Sequence, residues 1–356
     1  MSQIATLTEF LESGGLQLDF FDMGRRVSAI SRERFIQFEQ TEIPYPLPLQ
    51  QQAWFALTIS DPSNRGIDPM IWFIRFPLDE QAKLLQAARD DFMHRLVENL
   101  GDTTQGAKSS GEMQAAVQDN PYLFQPKAER LAVFHARLTT ALGNPASRYY
   151  EHAKAYFSGE LGWDQWSFIG YQGIADLTAR LDRDNNSEQI ATAISALPPA
   201  PLEALCHCLE NETIPKTLTL ALGKRARETI KQSEPDIQIL TAVIRGISQS
   251  TSAKHRNELI GKVLDHPISS RSDILVAIAG RSWECLTDTS LHSLYLERLA
   301  SNELGQDFFN TILSDLLYLP ATRSSLQAGL REPRRSEKLS QVIGQFFASV
   351  KQTQSQ

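Results

Sequence analysis

Cysteine is scarce in this chain. Cys206, Cys208 and Cys285 are the three among 356 residues. So small and odd a number argues against a disulfide framework and suits thiols kept reduced in a cytosol. Long apolar runs are missing as well: no stretch approaches the roughly 20 residues that a membrane-spanning helix needs. The opening MSQIATLTEFLESGG has neither a basic n-region nor an apolar h-region, so no secretory signal is expected there. A basic excess is also lacking. Lys and Arg number 35 against 42 Asp and Glu, a net charge of −7, and the isoelectric point is near 5.6. General affinity for phosphate backbones is disfavoured by that balance. The expected setting is the cytoplasm, with no membrane partner.

Signatures of chemistry are missing too. The sequence contains no GxSxG elbow, phosphate-binding loop or dinucleotide fingerprint. Its seven histidines (94, 135, 152, 207, 255, 266 and 292) form no HExxH or other spaced pair. Cys206-His207-Cys208 looks like a metal fragment. In a helix, however, residues two apart point to roughly opposite sides, and no second Cys/His cluster completes a tetrahedral set. Small apolar packing is the plainer reading of the two thiols. Asp79-Glu80 and Asp90-Asp91 read as a helix start and a solvated face with Asp91–Arg95 pairing, not as acid/base dyads. No metal, cofactor or catalytic residue is therefore expected.

What is present is an ordinary globular composition, 42% apolar and 22% charged, enough to bury a core. Residues 1–101 read as one α+β unit. A helix over Ile4–Ser13 stops at Gly14-Gly15. Leu16, Leu18 and Phe20 alternate as a half-buried strand, and Arg26–Ile30 is a return strand after the turn Asp22-Met23-Gly24. Ser31 is placed to cap a short helix holding Phe35, Ile36 and Phe38. PYPLP keeps the chain extended. Trp54–Ser60 and Met70–Phe76 form an antiparallel hairpin across the turn-forming DPSNRGIDP. Asp79 is expected to cap a long helix whose stripe is Leu84, Leu85, Ala88, Phe92, Leu96 and Leu100.

Residues 102–111, DTTQGAKSSG, read as a linker. Residues 112–185 follow as a helical connector, including one helix over 164–181. Residues 186–356 read as helical-repeat-like. Helix pairs there have second members beginning near 201, 235, 272, 305 and 336, the spacing of stacked pairs in an α-solenoid. No residue-level consensus recurs, so an irregular bundle stays as the alternative.

FFDMGRRVSAI, YPLPLQQQAW, IWFIRFPLDEQ and AARDDF, all within residues 20–92, resemble a gammaproteobacterial family known as domain of unknown function 3549. The resemblance extends over nearly the whole chain. It implies a bacterial cytoplasmic protein of this length and contributes no activity, cofactor or catalytic residue.

Three candidate sites remain. Asp22, Arg25 and Arg26 follow a strand and flank Gly24. Two guanidiniums there could grip a phosphate or carboxylate, although strand alternation sends them to opposite faces. The plainer reading is a tight turn with Gly24 at positive φ and surface arginines. Trp163, Trp166, Phe168 and Tyr171 form an aromatic cluster with Gly170 and Gly173. It reads as a packing joint or as a partner groove with aromatic anchors. From Arg323 to Lys351, six basic residues face Glu332 and Glu337. Arg334 and Arg335 could touch an acidic partner or RNA, or simply lie in a solvated connector. The leading expectation is a non-catalytic interaction or scaffold protein with a protein partner. The alternatives are an enzyme or ligand-binding module at the Asp22 site and, behind it, RNA or ribosome contact through the basic stretch.

Overall fold

A computed structural model of the chain describes residues 6–63, 68–100 and 110–354. In chain order the first elements are α1 (Leu7–Ser13), β1 (Gln17–Asp22), β2 (Ser28–Ile30), α2 (Arg32–Glu39), β3 (Gln52–Ser60), β4 (Met70–Pro77), α3 (Gln86–Leu100) and α4 (Ser110–Val117). Helices continue with α5 (Ala128–Ala141), α6 (Tyr150–Phe157), α7 (Tyr171–Thr178), α8 (Asn186–Ala193), α9 (Pro199–Leu209), α10 (Lys216–Ile230), α11 (Ile237–Gly246), α12 (Ala253–Asp265), α13 (Ser272–Arg281), α14 (Thr289–Ala300), α15 (Gln306–Tyr318), α16 (Pro320–Gly329) and α17 (Glu337–Gln354). The expected α+β organisation with a helical C-terminal region is what the chain adopts. It divides into two compact units, Met1–Lys127 with Tyr318–Pro320, and Ala128–Leu317 with Ala321–Gln356. Of the predicted linker 102–111, residues 102–109 lie outside the described residues and Ser110-Gly111 open α4.

In the first unit an antiparallel sheet has the order β2-β1-β3-β4. Phe20 lies opposite Leu57, and Phe55 opposite Ile74. Residues of one parity therefore turn Leu18, Phe20, Phe55, Leu57, Trp72, Ile74 and Phe76 into one buried cluster with residues of α1, α2 and α3. Aromatic rings dominate that cluster. Phe35 of α2 stacks on Phe20 with centroids 3.8 Å apart, and Phe92 of α3 meets both Trp72 and Phe76 edge-on. The predicted Ser31 cap accepts from the Arg34 amide. Gly15 takes a left-handed φ of +78° beyond α1. The buried Glu39 at the end of α2 accepts from the Leu7 and Thr8 amides, satisfying orphan donors at the start of α1.

The helix expected from Asp79 begins later, at Gln86. Asp79 does cap, but what it caps is a tight loop. Its Oδ1 accepts from the amides of Gln81 and Lys83, each at 2.8 Å. Ala82 turns through φ +63° and Leu84 bridges back to Leu78. The free edge of β4 is covered. Arg75 donates its amide to Tyr122, Phe124 donates to Phe73, and Leu123 bridges to Ile74.

In the second unit each odd-numbered helix from α5 to α11 packs on the next odd one, each even-numbered helix from α6 to α12 on the next even one, and α14 packs on α17. That two-layer stacking is the arrangement the pair spacing predicts. Its joints are fastened by arginines. Arg225 of α10 donates to the carbonyls of Ser195 and Leu197 after α8. Arg298 of α14 donates to those of Leu264 and Asp265 at the end of α12. Such guanidiniums satisfy carbonyls that a helix end leaves without partners.

Candidate functional site

Asp22, Arg25 and Arg26 are all buried, Arg25 to 1% exposure. The chain leaves strand geometry at Met23, so alternation no longer separates the two arginines. Gly24 does not take the positive φ expected of it. Asp22 Oδ2 accepts from the Arg26 amide at 2.9 Å, and Oδ1 from the Tyr45 hydroxyl at 2.8 Å. That hydroxyl also lies 3.0 Å from the Trp54 carbonyl, and burial, then Asp22, pushes its pKa well above the usual value. Arg25 Nε donates to the Pro48 carbonyl at 2.7 Å. The three residues are brought together, but as corrections to the surface reading: they are interior and bonded, and an anion would have to displace the Pro48 carbonyl from Arg25.

Cys206 and Cys208 are buried in α9. Burial pushes the Cys208 thiol up to about 12 and the Cys206 thiol higher still, so neither supplies a thiolate at neutral pH. No group of His, Cys, Asp and Glu side chains placed to hold a metal ion occurs among the described residues.

The aromatic cluster does not form one helix. Trp163–Phe168 is a 3-10 turn, the backbone is extended at Ile169 and Gly170, and α7 starts at Tyr171. The break splits the four rings into different surroundings. Tyr171 turns inward beside the Cys208 thiol; burial, then that thiol, raises its pKa. It is half-buried, unlike the exposed rings of the turn. Gly173 permits the close approach of α6 and α7. A Cβ there would lie 2.4 Å from the Tyr149 carbonyl oxygen. Trp166 and Phe168, by contrast, are 43% and 72% exposed. Their turn is nonetheless fixed. The Gln165 amide donates to Gly162, the Ile169 amide to Trp166, and the Tyr156 hydroxyl to the Trp163 carbonyl at 3.0 Å. Trp163 meets the Tyr156 ring at 86° and lines a cavity of about 260 Å³ with Phe157, Glu188, Gln189 and Thr192.

In the basic stretch the two candidates separate. Arg335 is half-buried and donates to the Leu330 carbonyl and to Ser340 Oγ, so it is a helix-end cap. Arg334 is exposed.

A charged cluster that sequence reasoning missed sits across three consecutive odd-numbered helices. Glu210, the C-cap of α9, is buried. It receives Arg245 of α11 on both oxygens, at 2.6 and 3.1 Å, and Arg281 of α13 at 2.9 Å. Burial opposes its ionisation, yet Arg281 and Arg245 hold the carboxyl below its ordinary range. Nearby, burial, reinforced by Arg245, presses His207 down to about 4. Glu212, paired with Arg137 at 2.5 Å, is pushed up by burial to about 7. The signal available in the sequence was positional: Arg245 and Arg281 occupy the last turns of helices that the pair spacing places side by side. The arrangement is a structural clasp, with each charge partnered within the unit.

No helix among the described residues is long and apolar enough to cross a membrane. No curated protein and no solved structure matches the chain. A family model described as protein of unknown function (DUF3549) does match, over residues 2–347. With nearly its whole length covered, the chain belongs to that family.

Proposed function

We propose that the protein is a non-catalytic interaction protein of the bacterial cytoplasm that docks a partner protein on the aromatic turn Trp163–Phe168. The supporting observation is that Trp166 and Phe168 stand 43% and 72% exposed on a turn pinned at both ends. A large aromatic buries 150–250 Å² when covered. At these exposures roughly 100–150 Å² of each ring is left to cover, which at roughly 25 cal/mol per Å² would contribute about 2.5–4 kcal/mol. A fixed turn loses little conformational freedom on binding. Interface anchors are of this kind, whereas the buried thiols and the interior Asp22 cluster offer a partner or substrate no such access. Three free, buried cysteines accord with a reducing compartment.

The test is photo-crosslinking in the cell that makes the protein, with Phe168 replaced by benzoylphenylalanine. The expected result is one discrete adduct, heavier than the chain but not twice its mass, that Trp166→Ser abolishes without changing the melting temperature. An adduct no stronger than that from the same probe at exposed Glu234, or one at twice the chain mass, overturns the proposal.

A further inference from the structure

The cavity beside the aromatic turn has features that the turn alone does not explain. Its volume of about 260 Å³ falls below the roughly 300–1,000 Å³ of clefts that enclose drug-sized ligands. It suits one side chain instead. Trp163 forms one wall and is held by Tyr156, whose ring meets the indole edge-on with centroids 5.5 Å apart and whose hydroxyl donates to the Trp163 carbonyl. Phe157 of α6 lines the same space, with Glu188, Gln189 and Thr192 of α8.

The lining offers one open acceptor. Gln189 Oε1, though without a hydrogen-bond partner among the described residues, has no surface open to an incoming donor. The Glu188 carboxylate has no ion pair among the described residues, and the Thr192 hydroxyl bonds the Glu188 carbonyl instead. The surroundings reinforce the sign. Residues 150–193 carry seven acidic side chains against three basic ones, and two of the three are engaged, Lys154 with Asp184 and Arg180 with Asp176.

From this geometry we infer that the cavity is a receptor for an arginine side chain of the docked partner. A guanidinium is planar, stacks on an indole face and carries several N–H donors at once. An aromatic wall beside a carboxylate with no ion pair among the described residues answers those properties. A lysine ammonium is a compact charge that would leave the stacking surface unused. The inference rests on the proposed docking at the aromatic turn and specifies the partner's chemistry.

The test follows the Trp163 indole N–H resonance of the full-length protein, assigned by Trp163→Phe, during titration with N-acetyl-arginine methylamide. Saturable movement is expected in the millimolar range. The lysine analogue should bind several-fold more weakly, and the uncharged citrulline analogue should cause no shift. Glu188→Gln should weaken arginine binding about ten-fold while the other indole resonances stay in place. A resonance that does not move, or moves equally with lysine, with citrulline or in Glu188→Gln, overturns the inference. The two proposals fail separately. Arginine silence with an intact Phe168 crosslink removes the pocket and leaves the docking turn; a lost crosslink with intact arginine binding does the reverse.

Discussion

Replacing Glu210 by Gln puts the clasp between α9, α11 and α13 to a direct measurement. The amide keeps the shape of the carboxylate but removes its charge, and it points a donor at two guanidiniums that need an acceptor. In the native protein one carboxylate, 3% exposed, serves Arg245 and Arg281, which are 26% and 23% exposed. Breaking a buried ion pair by removing one partner costs about 3–5 kcal/mol. Both guanidiniums reach some water, so the lower end applies, about 3 kcal/mol. Amide hydrogen exchange in α11 and α13 is the suitable assay, because a chain of two units need not unfold as one. Exchange through local opening should accelerate about 100-fold, since each 1.4 kcal/mol is a factor of ten, while α16 stays unaffected. Adding Arg281→Gln should restore part of the loss, as one stranded charge disappears with it. The wild-type clasp should also weaken in acid. Glu210 titrates below its unfolded value, so its stabilisation is complete above the ordinary carboxylate range and is lost as pH falls through the lower, folded pKa. A change under 1 kcal/mol in Glu210→Gln would refute the clasp.

Gly173→Ala should lower the melting temperature by about 5 °C or more, because the new Cβ meets the Tyr149 carbonyl at 2.4 Å and backbone cannot step aside. Gly280→Ala, with nothing within 4 Å of the added carbon, should instead stabilise by up to about 1 kcal/mol; calorimetry of the pair reads both signs. His207 and Glu212 should impose opposite pH slopes on denaturant stability. A histidine lowered to about 4 costs up to roughly 3 kcal/mol as pH falls from 6.5 toward 4, a cost His207→Gln removes. An acid raised to about 7 loses stability as pH rises from 4.5 to 7, a loss Glu212→Gln removes; parallel curves for wild type and variant would refute either. Tyr45→Phe should cost about 1.5–3 kcal/mol by withdrawing a donor from the buried Asp22 carboxylate, read as a lower denaturant midpoint with unchanged slope.

The sheet was legible because its strands are aromatic and branched with turn-rich ends. Trp54–Ser60 and Met70–Phe76 sit within β3 and β4 almost residue for residue. The helix pairs were legible from spacing alone: α9, α11, α13, α15 and α17 begin within two residues of their expected starts. Where reading failed, longer-range contacts decided. A stripe beginning at Leu84 fits a helix, but that residue is taken by its bridge to Leu78, so α3 waits until Gln86. Trp163 to Tyr171 reads as helical by periodicity, yet the extended backbone at Ile169-Gly170 turns Tyr171 toward Cys208 and leaves Phe168 in water. Asp22 and Arg25 look like surface groups because nothing nearby in sequence announces Tyr45 and Pro48 as their partners. The Glu210 clasp was invisible for the same reason: its two counter-charges arrive from later helices, and only stacking aligns them.

Tyr122–Phe124, lying along β4, sets a lower limit on how short the N-terminal portion can be made. A polypeptide halted at Leu100 would retain every strand yet leave the amide of Arg75 and the carbonyl of Phe73 unmatched on a long, apolar border. Bare borders of that kind recruit other chains. Such a fragment should therefore precipitate or pair edge to edge, whereas one carried through Lys127 brings its own cover.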